Sequence, residues 1–581
     1  MPQDRAQDPH PPQDTDLDLD ALVVGTGFAG IYALHALLQD GLRVAAIDKA
    51  GDVGGTWYWN RYPGALSDTW SYLYRYSFDE ALLHAYPAPN RYSTQPEVLA
   101  YLRHVVARYD LRRHMRFETA MEGAEWDDAA KRWRVRCRGI GTKQGDRGGE
   151  EEEEEGKVNY TYTVRYLVTA LGLLTEPVLP DIPGLKEGTF QGQVVHTAAW
   201  DPAVSLAGKR VGVIGVGSSG VQVVTAIADR VASLHVFIRR AQYSVPANDR
   251  PVSAAERAAI NAAYPALWAE VRASHLGMGF AESSRRFMAV SPADRERILE
   301  ASWREGNGLQ LLFGGFSDLT TDAAANEEVC RFLRRKIRAA VHDPRKAAVL
   351  LPREPFARRP LSDAGYYETF NRDHVHAVDV MAHPITQIEA KGLRTADGTL
   401  YELDTLVVAT GFDALDGSYA RVEIRGRDPA EDLKERWRRT GSECYLGCAV
   451  SGFPNLLIVS GPMAAFANVP PLTETNVDFL RDLIRRAEEI TRQSGKQCEI
   501  EATHEAERWW TDHCDLTARK TLFAQTPSWM FGANVPGKRP ASRLYFGGLG
   551  PFRAKLAEIK ARGFLGFEEP LGTGGTLRSH L

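Results

Sequence analysis

Cysteine is scarce: six residues in 581, at 137, 330, 444, 448, 498 and 514, with no C-x-x-C pair. That spacing excludes a disulfide framework and carries no zinc or dithiol signature. Cys444 and Cys448 lie four apart, but nothing nearby completes a metal site, and no metal is expected. A surplus of one charge is missing too, since 70 Lys and Arg face 75 Asp and Glu for a formal net charge of −5. Neither nucleic acid nor an anionic membrane is therefore an expected partner. The apolar window Ala21–Leu38 holds three glycines and is bounded by Asp20, Gln39 and Asp40, which fits strand, turn and helix better than a membrane span. Residues 1–18, rich in Pro, Asp and Gln, have no apolar run and read as a disordered tail rather than a leader. The expectation is a cytoplasmic protein.

What is abundant is glycine in two ordered places. Gly25-x-Gly27-x-x-Gly30 follows an apolar strand (Ala21–Val24), opens a helix (Ile31–Leu38) and precedes a strand (Arg43–Asp48) ending on an acid. Gly215-x-Gly217-x-x-Gly220 repeats this order between Arg210–Ile214, Val221–Asp229 and Ser233–Arg239. In such units the glycines let the backbone approach a pyrophosphate at a helix N-terminus, where free amides and the macrodipole favour negative charge. Two units imply two dinucleotides held at once, a flavin and a nicotinamide. Asp48 suits the ribose diol of FAD. The second unit ends Phe237-Ile238-Arg239-Arg240, with no acid to repel a 2′-phosphate, so NADPH is expected there; the alternative is that Arg239 and Arg240 form a solvated strand end. Ser218 and Ser219 lie within this second turn.

The chain is long enough for two or three cores. The fold class expected is α/β, with two Rossmann-like dinucleotide domains, the second inserted into the first. The first comprises 19–175 and 405–581, the second 176–250 and 352–404. Residues 251–351 form a helical insertion, opened by the capping box Ser253-x-x-Glu256 and containing Val329, Phe332, Leu333 and Ile337 at helical spacing. Trp133–Cys137 and Tyr160–Thr163 read as a hairpin. It carries a solvated loop, 139–156, in which Glu150–Glu155 repel one another.

Two further segments carry a family resemblance. Gly54-Gly55-Thr56-Trp57 leads through Tyr62-Pro63-Gly64 to Asp68, and Phe190-x-Gly192-x-x-x-His196-x-x-x-Trp200-Asp201 lies between the two glycine turns. Together they resemble the type I Baeyer–Villiger monooxygenases, most nearly the cyclohexanone monooxygenase branch, over about Leu19 to Phe567. Trp57 on its own is as well explained by core packing as by stacking on a flavin, and a lone histidine such as His196 is usually structural. The resemblance implies that Gly55, Thr56, Trp57 and Asp68 join the FAD site. It implies that Phe190, Gly192, His196 and Trp200 couple domain movements.

The segment Arg358-Arg359-Pro360-Leu361 is similar to the family's [K/R]-R-P-L. This implies Arg359 as the active-site cation, held by Asp68, with Arg358 reaching toward the 2′-phosphate. Ser528–Lys538 resembles a loop that closes over NADP(H), placing Trp529 at cofactor and pocket. Leu173, Met463, Phe466 and Trp529 are expected to line the substrate pocket. The implied reaction converts a ketone, O2 and NADPH to a lactone or ester through a flavin C4a-peroxide, in a monomer or weak oligomer.

Departures stand at 461–466, where Gly-Pro-Met-Ala-Ala-Phe replaces Gly-Pro-Asn-Gly-Pro-Phe, and at Trp70, where Glu is common. An N- or S-oxygenating flavoenzyme and a non-catalytic redox sensor are the alternatives. A disulfide reductase is disfavoured, because no closely spaced cysteine pair follows the first turn.

Overall fold

The computed structural model describes residues 18–140, 153–154 and 157–572. The tail and most of the acidic loop therefore lie outside the described residues. The first glycine turn sits in a large sheet whose strands run in the order Glu423–Arg425, Thr119–Asp127, Arg132–Gly139, Lys157–Thr169, Leu19–Val24, Val44–Ile47, Met115–Arg116. Leu19–Val24 pairs in parallel with both Val44–Ile47 and Lys157–Thr169. Its residues Ala21, Leu22 and Val23 are fully buried, as expected for a strand covered on both faces. The expected hairpin is present, longer than its apolar runs suggested: Arg132–Gly139 pairs antiparallel with Lys157–Thr169.

The second turn sits in a five-stranded sheet, all parallel, ordered Gln193–His196, Thr405–Val408, Arg210–Ile214, Ser233–Ile238, Val375–Asp379. This corrects one boundary. Thr405–Val408, assigned from sequence to the first domain, lies between Gln193–His196 and Arg210–Ile214 in the second sheet. An apolar strand does not declare its sheet; pairing does.

Within 251–351 lie the helices Ala254–Ala273, Pro292–Glu305, Gly308–Phe313, Ala323–Ala340 and Pro344–Leu350. Ser253 caps the first by accepting from the Glu256 amide. Val329, Phe332, Leu333 and Ile337 bury one face of Ala323–Ala340 in the core of the second nucleotide unit. Tyr264, Trp268 and Val271 instead pack on Leu73 and Leu83 of the first. The insertion thus touches both units. Among the described residues no helix is long and apolar enough to cross a membrane.

Candidate functional site

In the first turn Gly25 has φ +106° and a Cβ there would collide with the Ala170 carbonyl, while a Cβ on Gly30 would strike the Gly25 carbonyl. Helix Phe28–Gln39 therefore packs directly on its strand and presents its unpaired N-terminal amides beside Gly27 and Gly55. Asp48 is buried beneath them. Its Oδ2 accepts from the Thr26 amide at 2.6 Å and the Thr26 hydroxyl at 2.8 Å, and its Oδ1 from the Ala50 amide at 2.9 Å. Burial raises its pKa against these bonds. Three of about four acceptor positions are used, so Asp48 braces the turn and one acceptor position remains.

The second turn copies the backbone and inverts the charge. Gly215 (φ +103°) and Gly220 are crowded by Ala409 and by Gly215 itself, whereas a Cβ on Gly217 would meet nothing within 4 Å. Ser218 and Ser219 begin helix Ser218–Ile227. Arg239 and Arg240, at the position matching Asp48, are exposed. Arg240 Nε lies 3.6 Å from Glu354, which also pairs with Arg358. Burial lowers the Arg358 pKa; Glu354 opposes this, and Arg240 and Arg239 add to it. Three guanidinium groups thus converge on one rim, a donor set that fits a phosphate monoester.

Both turns open into one cavity of about 1410 Å³. Ligand sites usually occupy about 300–1,000 Å³, so this space exceeds one ordinary ligand. Gly27, Asp48, Gly55, Thr56 and Trp57 line it on one side, Gly215, Gly217, Ser218, Ser219, Arg239 and Arg240 on the other. The buried Thr473 hydroxyl, which also lines it, has no hydrogen-bond partner within the protein. Two amide-rich turns, open space at Gly217 and an unsatisfied wall hydroxyl fit two dinucleotides.

Between the turns lies the main charged pair. Arg359 donates from Nη1 to Asp68 Oδ2 at 2.5 Å and from Nη2 to Oδ1 at 2.8 Å, and its Nη1 also donates to the Pro360 carbonyl at 3.2 Å. The side chains are 28% and 22% exposed, and both face the cavity. Burial acts to lower the arginine pKa, but the Asp68 charge and hydrogen bonds outweigh it and raise the value. The guanidinium is a permanent, oriented cation. Asp68 comes from strand Leu66–Trp70; Arg359 precedes strand Leu361–Asp363, which pairs with Ser244–Pro246.

Neighbouring contacts order the wall. Trp57 Nε1 donates to Tyr74 Oη at 3.2 Å, with the rings edge-on at 5.6 Å. Burial pushes the Tyr74 hydroxyl up to about 12. Gln222, from the helix of the second turn, accepts from Tyr62 Oη at 2.8 Å and donates to the Leu66 carbonyl at 3.0 Å, so it joins the two nucleotide units. Trp529 lines the cavity in a segment tied down by Asn534 to the Phe412 carbonyl (2.7 Å) and by Lys538 to Asp413 and Asp416.

Of the expected pocket residues, Leu173, Phe466 and Trp529 line the cavity, and Met463 does not. Its side chain is buried in the core of the first unit, its amide donates to the Arg543 carbonyl, and its carbonyl accepts from Trp510 Nε1. Its φ of +68° turns it away from the position that sequence adjacency to Phe466 suggested. The Phe190–Trp200 segment also stays outside the cavity wall. Phe190 and Trp200 are buried, a Cβ on Gly192 would collide with the Phe190 ring, and His196 Nδ1 accepts from the Ala198 amide at 3.0 Å. Burial lowers the His196 pKa to about 4. Sequence reasoning missed Gln222, Asn307 and the lining residues Leu276, Met278 and Leu309. Only Asn307 carried a signal, the turn-forming Gly306-Asn307-Gly308.

A flavin-binding monooxygenase-like family model matches residues 20–245. Curated relatives match nearly the whole chain. A phenazine N-monooxygenase of Lysobacter antibioticus is 44% identical over 549 residues (94% of this chain, 96% of the relative). A cyclohexanone 1,2-monooxygenase of Acinetobacter is 41% identical over 553 residues (95% and 97%). The crystal structure of cyclohexanone monooxygenase from Rhodococcus sp. Phi1 bound to NADP+ superposes with a TM-score of 0.88 at 46% identity, covering 95% of this chain and 98% of that one. Two charge-inverted glycine turns, one shared cavity and full-length relatives place the chain in the Baeyer–Villiger family of flavin-binding, NADPH-dependent monooxygenases.

Proposed function

We propose that the protein inserts one atom of O2 beside the carbonyl of a cyclic ketone, giving a lactone. The observation that carries this is the bidentate Arg359–Asp68 pair on the wall shared by the two nucleotide sites. FAD in the first site supplies O2 activation, and NADPH in the second supplies the hydride.

The chain's own residues do the rest. The Gly25–Gly30 and Gly215–Gly220 turns hold pyrophosphates. Asp48 braces one ribose end, and Arg239, Arg240 and Arg358 hold a 2′-phosphate. Arg359 keeps a positive charge where negative charge grows on oxygen, and Asp68 aims it; removing one such stabiliser commonly costs roughly a hundred- to a thousandfold in rate. Leu173, Leu276, Met278, Leu309, Phe466 and Trp529 give the substrate an apolar wall and exclude water. Phe190, Gly192, His196 and Trp200 act as a connector that couples movements of the two units, with Phe190 and Trp200 as its buried anchors. The enzyme is proposed to work in the cytoplasm as a monomer or weak oligomer without nucleic-acid partners, in keeping with its nearly balanced charge.

A second reading, oxygenation of a ring nitrogen, is favoured by the 44% identical phenazine N-monooxygenase. The test is to incubate holoenzyme, NADPH and O2 with ketones of four to fifteen ring carbons and, separately, with phenazine. Lactone is the expected product. N-oxide, with no lactone from any ketone, overturns the proposal.

A further inference from the structure

The helical insertion reaches the Asp68–Arg359 pair at the turn Gly306-Asn307-Gly308. Asn307 is 3% exposed and has φ +75°. Its Nδ2 donates to the carbonyl of Asp68 at 2.8 Å and to Tyr92 Oη at 3.2 Å. Its Oδ1 accepts from the amides of Leu309 at 2.9 Å and Gln310 at 3.3 Å, capping helix Gly308–Phe313. Its own amide donates to Pro246, in the strand beside Leu361–Asp363. The next amide, of Gly308, donates to Ser362 Oγ at 3.1 Å, and a Cβ on Gly308 would meet the Leu361 carbonyl at 2.6 Å and Pro360 Cβ at 2.8 Å. One turn therefore seats both halves of the ion pair: Asp68 from the first nucleotide unit, and the Arg359–Ser362 stretch returning from the second. The capped helix carries in its first turn Leu309, a wall residue of the cavity.

We propose that Asn307 is a positioning residue for the reaction: it locks the Asp68 strand, the Arg359 strand and the substrate wall in one geometry, so that the guanidinium faces the reacting oxygen. A purely structural asparagine would need only its helix cap. This one spends both amide hydrogens on Asp68 and Tyr92, at the junction of three chain segments. The proposal rests on the role given above to Arg359.

Two variants separate the functions. Asn307→Asp keeps the capping oxygen and tolerates positive φ, but loses the donors to Asp68 and Tyr92. Asn307→Gly keeps the backbone conformation and removes every side-chain contact. In the holoenzyme both are expected to bind FAD and to be reduced by NADPH at wild-type rate. The ratio of oxygenated product to hydrogen peroxide should fall roughly tenfold, the change that about 1.4 kcal/mol of lost orientation in the oxygenating step would give. Amide exchange should quicken in peptides covering 66–72 and 359–365 and stay unchanged across the first glycine turn. The proposal is overturned if the product-to-peroxide ratio stays within twofold of wild type. It is equally overturned if flavin content and reduction rate fall in step with product, which is the mark of a merely structural residue. If the wild-type enzyme forms no lactone but the two peptides still loosen selectively and phenazine oxidation uncouples, the ketone reading fails and Asn307 keeps its role.

Discussion

The two glycine turns share a backbone and differ in the charge and burial of the residue that follows the second strand. At the first, the acid ending the second strand is buried and bonded to its own turn through Thr26 and Ala50. At the second, Arg239 and Arg240 stand exposed on a rim with Arg358 and Glu354. The first site is part of the core; the second is a charged mouth. A buried, pre-bonded site suits a group that stays, because its polar atoms are already satisfied and leave little to rearrange. The exposed guanidinium groups of Arg239 and Arg240 suit a ligand that comes and goes, since they attract a phosphate without being buried themselves.

The sharpest break of this comparison is at Gly25. Gly25→Ala sets a Cβ against the Ala170 carbonyl at φ +106° and is expected to abolish FAD retention, read as loss of the flavin absorbance of purified protein. Gly217→Ala, with open space around its Cβ, should leave FAD content intact and weaken only NADP+ binding. Equal FAD content in both variants would erase the distinction between core and mouth.

Next in size is the cation between the turns. In Arg359→Ala, flavin reduction by NADPH should persist, while oxygenated product falls roughly a hundred- to a thousandfold. Unchanged product yield, measured by gas chromatography, would remove Arg359 from the chemistry.

Arg239→Ala tests the mouth itself. Loss of one charge-assisted hydrogen bond, about 1.5–3 kcal/mol, should raise KM for NADPH by roughly ten- to a hundredfold and leave NADH use unchanged. An equal change with both nucleotides would show that the rim does not read the phosphate.

The smallest effect is on stability. His196 and His235 are half-buried, with pKa values lowered from 6.5 to about 4, His196 by burial and His235 by burial and its stacked neighbour His376. Between pH 6.5 and 4 the unfolded chain binds more protons at these sites than the folded one. Stability should therefore decline as pH falls through that window. His235→Asn should make the decline of Tm shallower; an identical Tm–pH slope would contradict it.

Much of this was legible in the sequence, for local reasons. Strand, glycine turn and helix are contiguous, so both nucleotide sites could be read from short windows. The pairing of Arg359 with Asp68 followed only from the family resemblance, since 291 residues separate them. Thr405–Val408 was recognisable as a strand but not as part of the second sheet. Met463 stood two residues from a true wall residue, Ala465, yet a left-handed backbone angle turned it into the core. Asn307 showed only as a polar residue between two glycines.

The amino-acid order alone determined where the two strand–glycine turn–helix units form and which charge ends each second strand, because those properties reside in neighbouring residues. Tertiary structure decided which strand joined which sheet, which side chains faced the shared cavity, and how an asparagine in a helical insertion came to bond the Asp68 carbonyl. Those outcomes depend on contacts between residues far apart in the chain, and no local propensity encodes them.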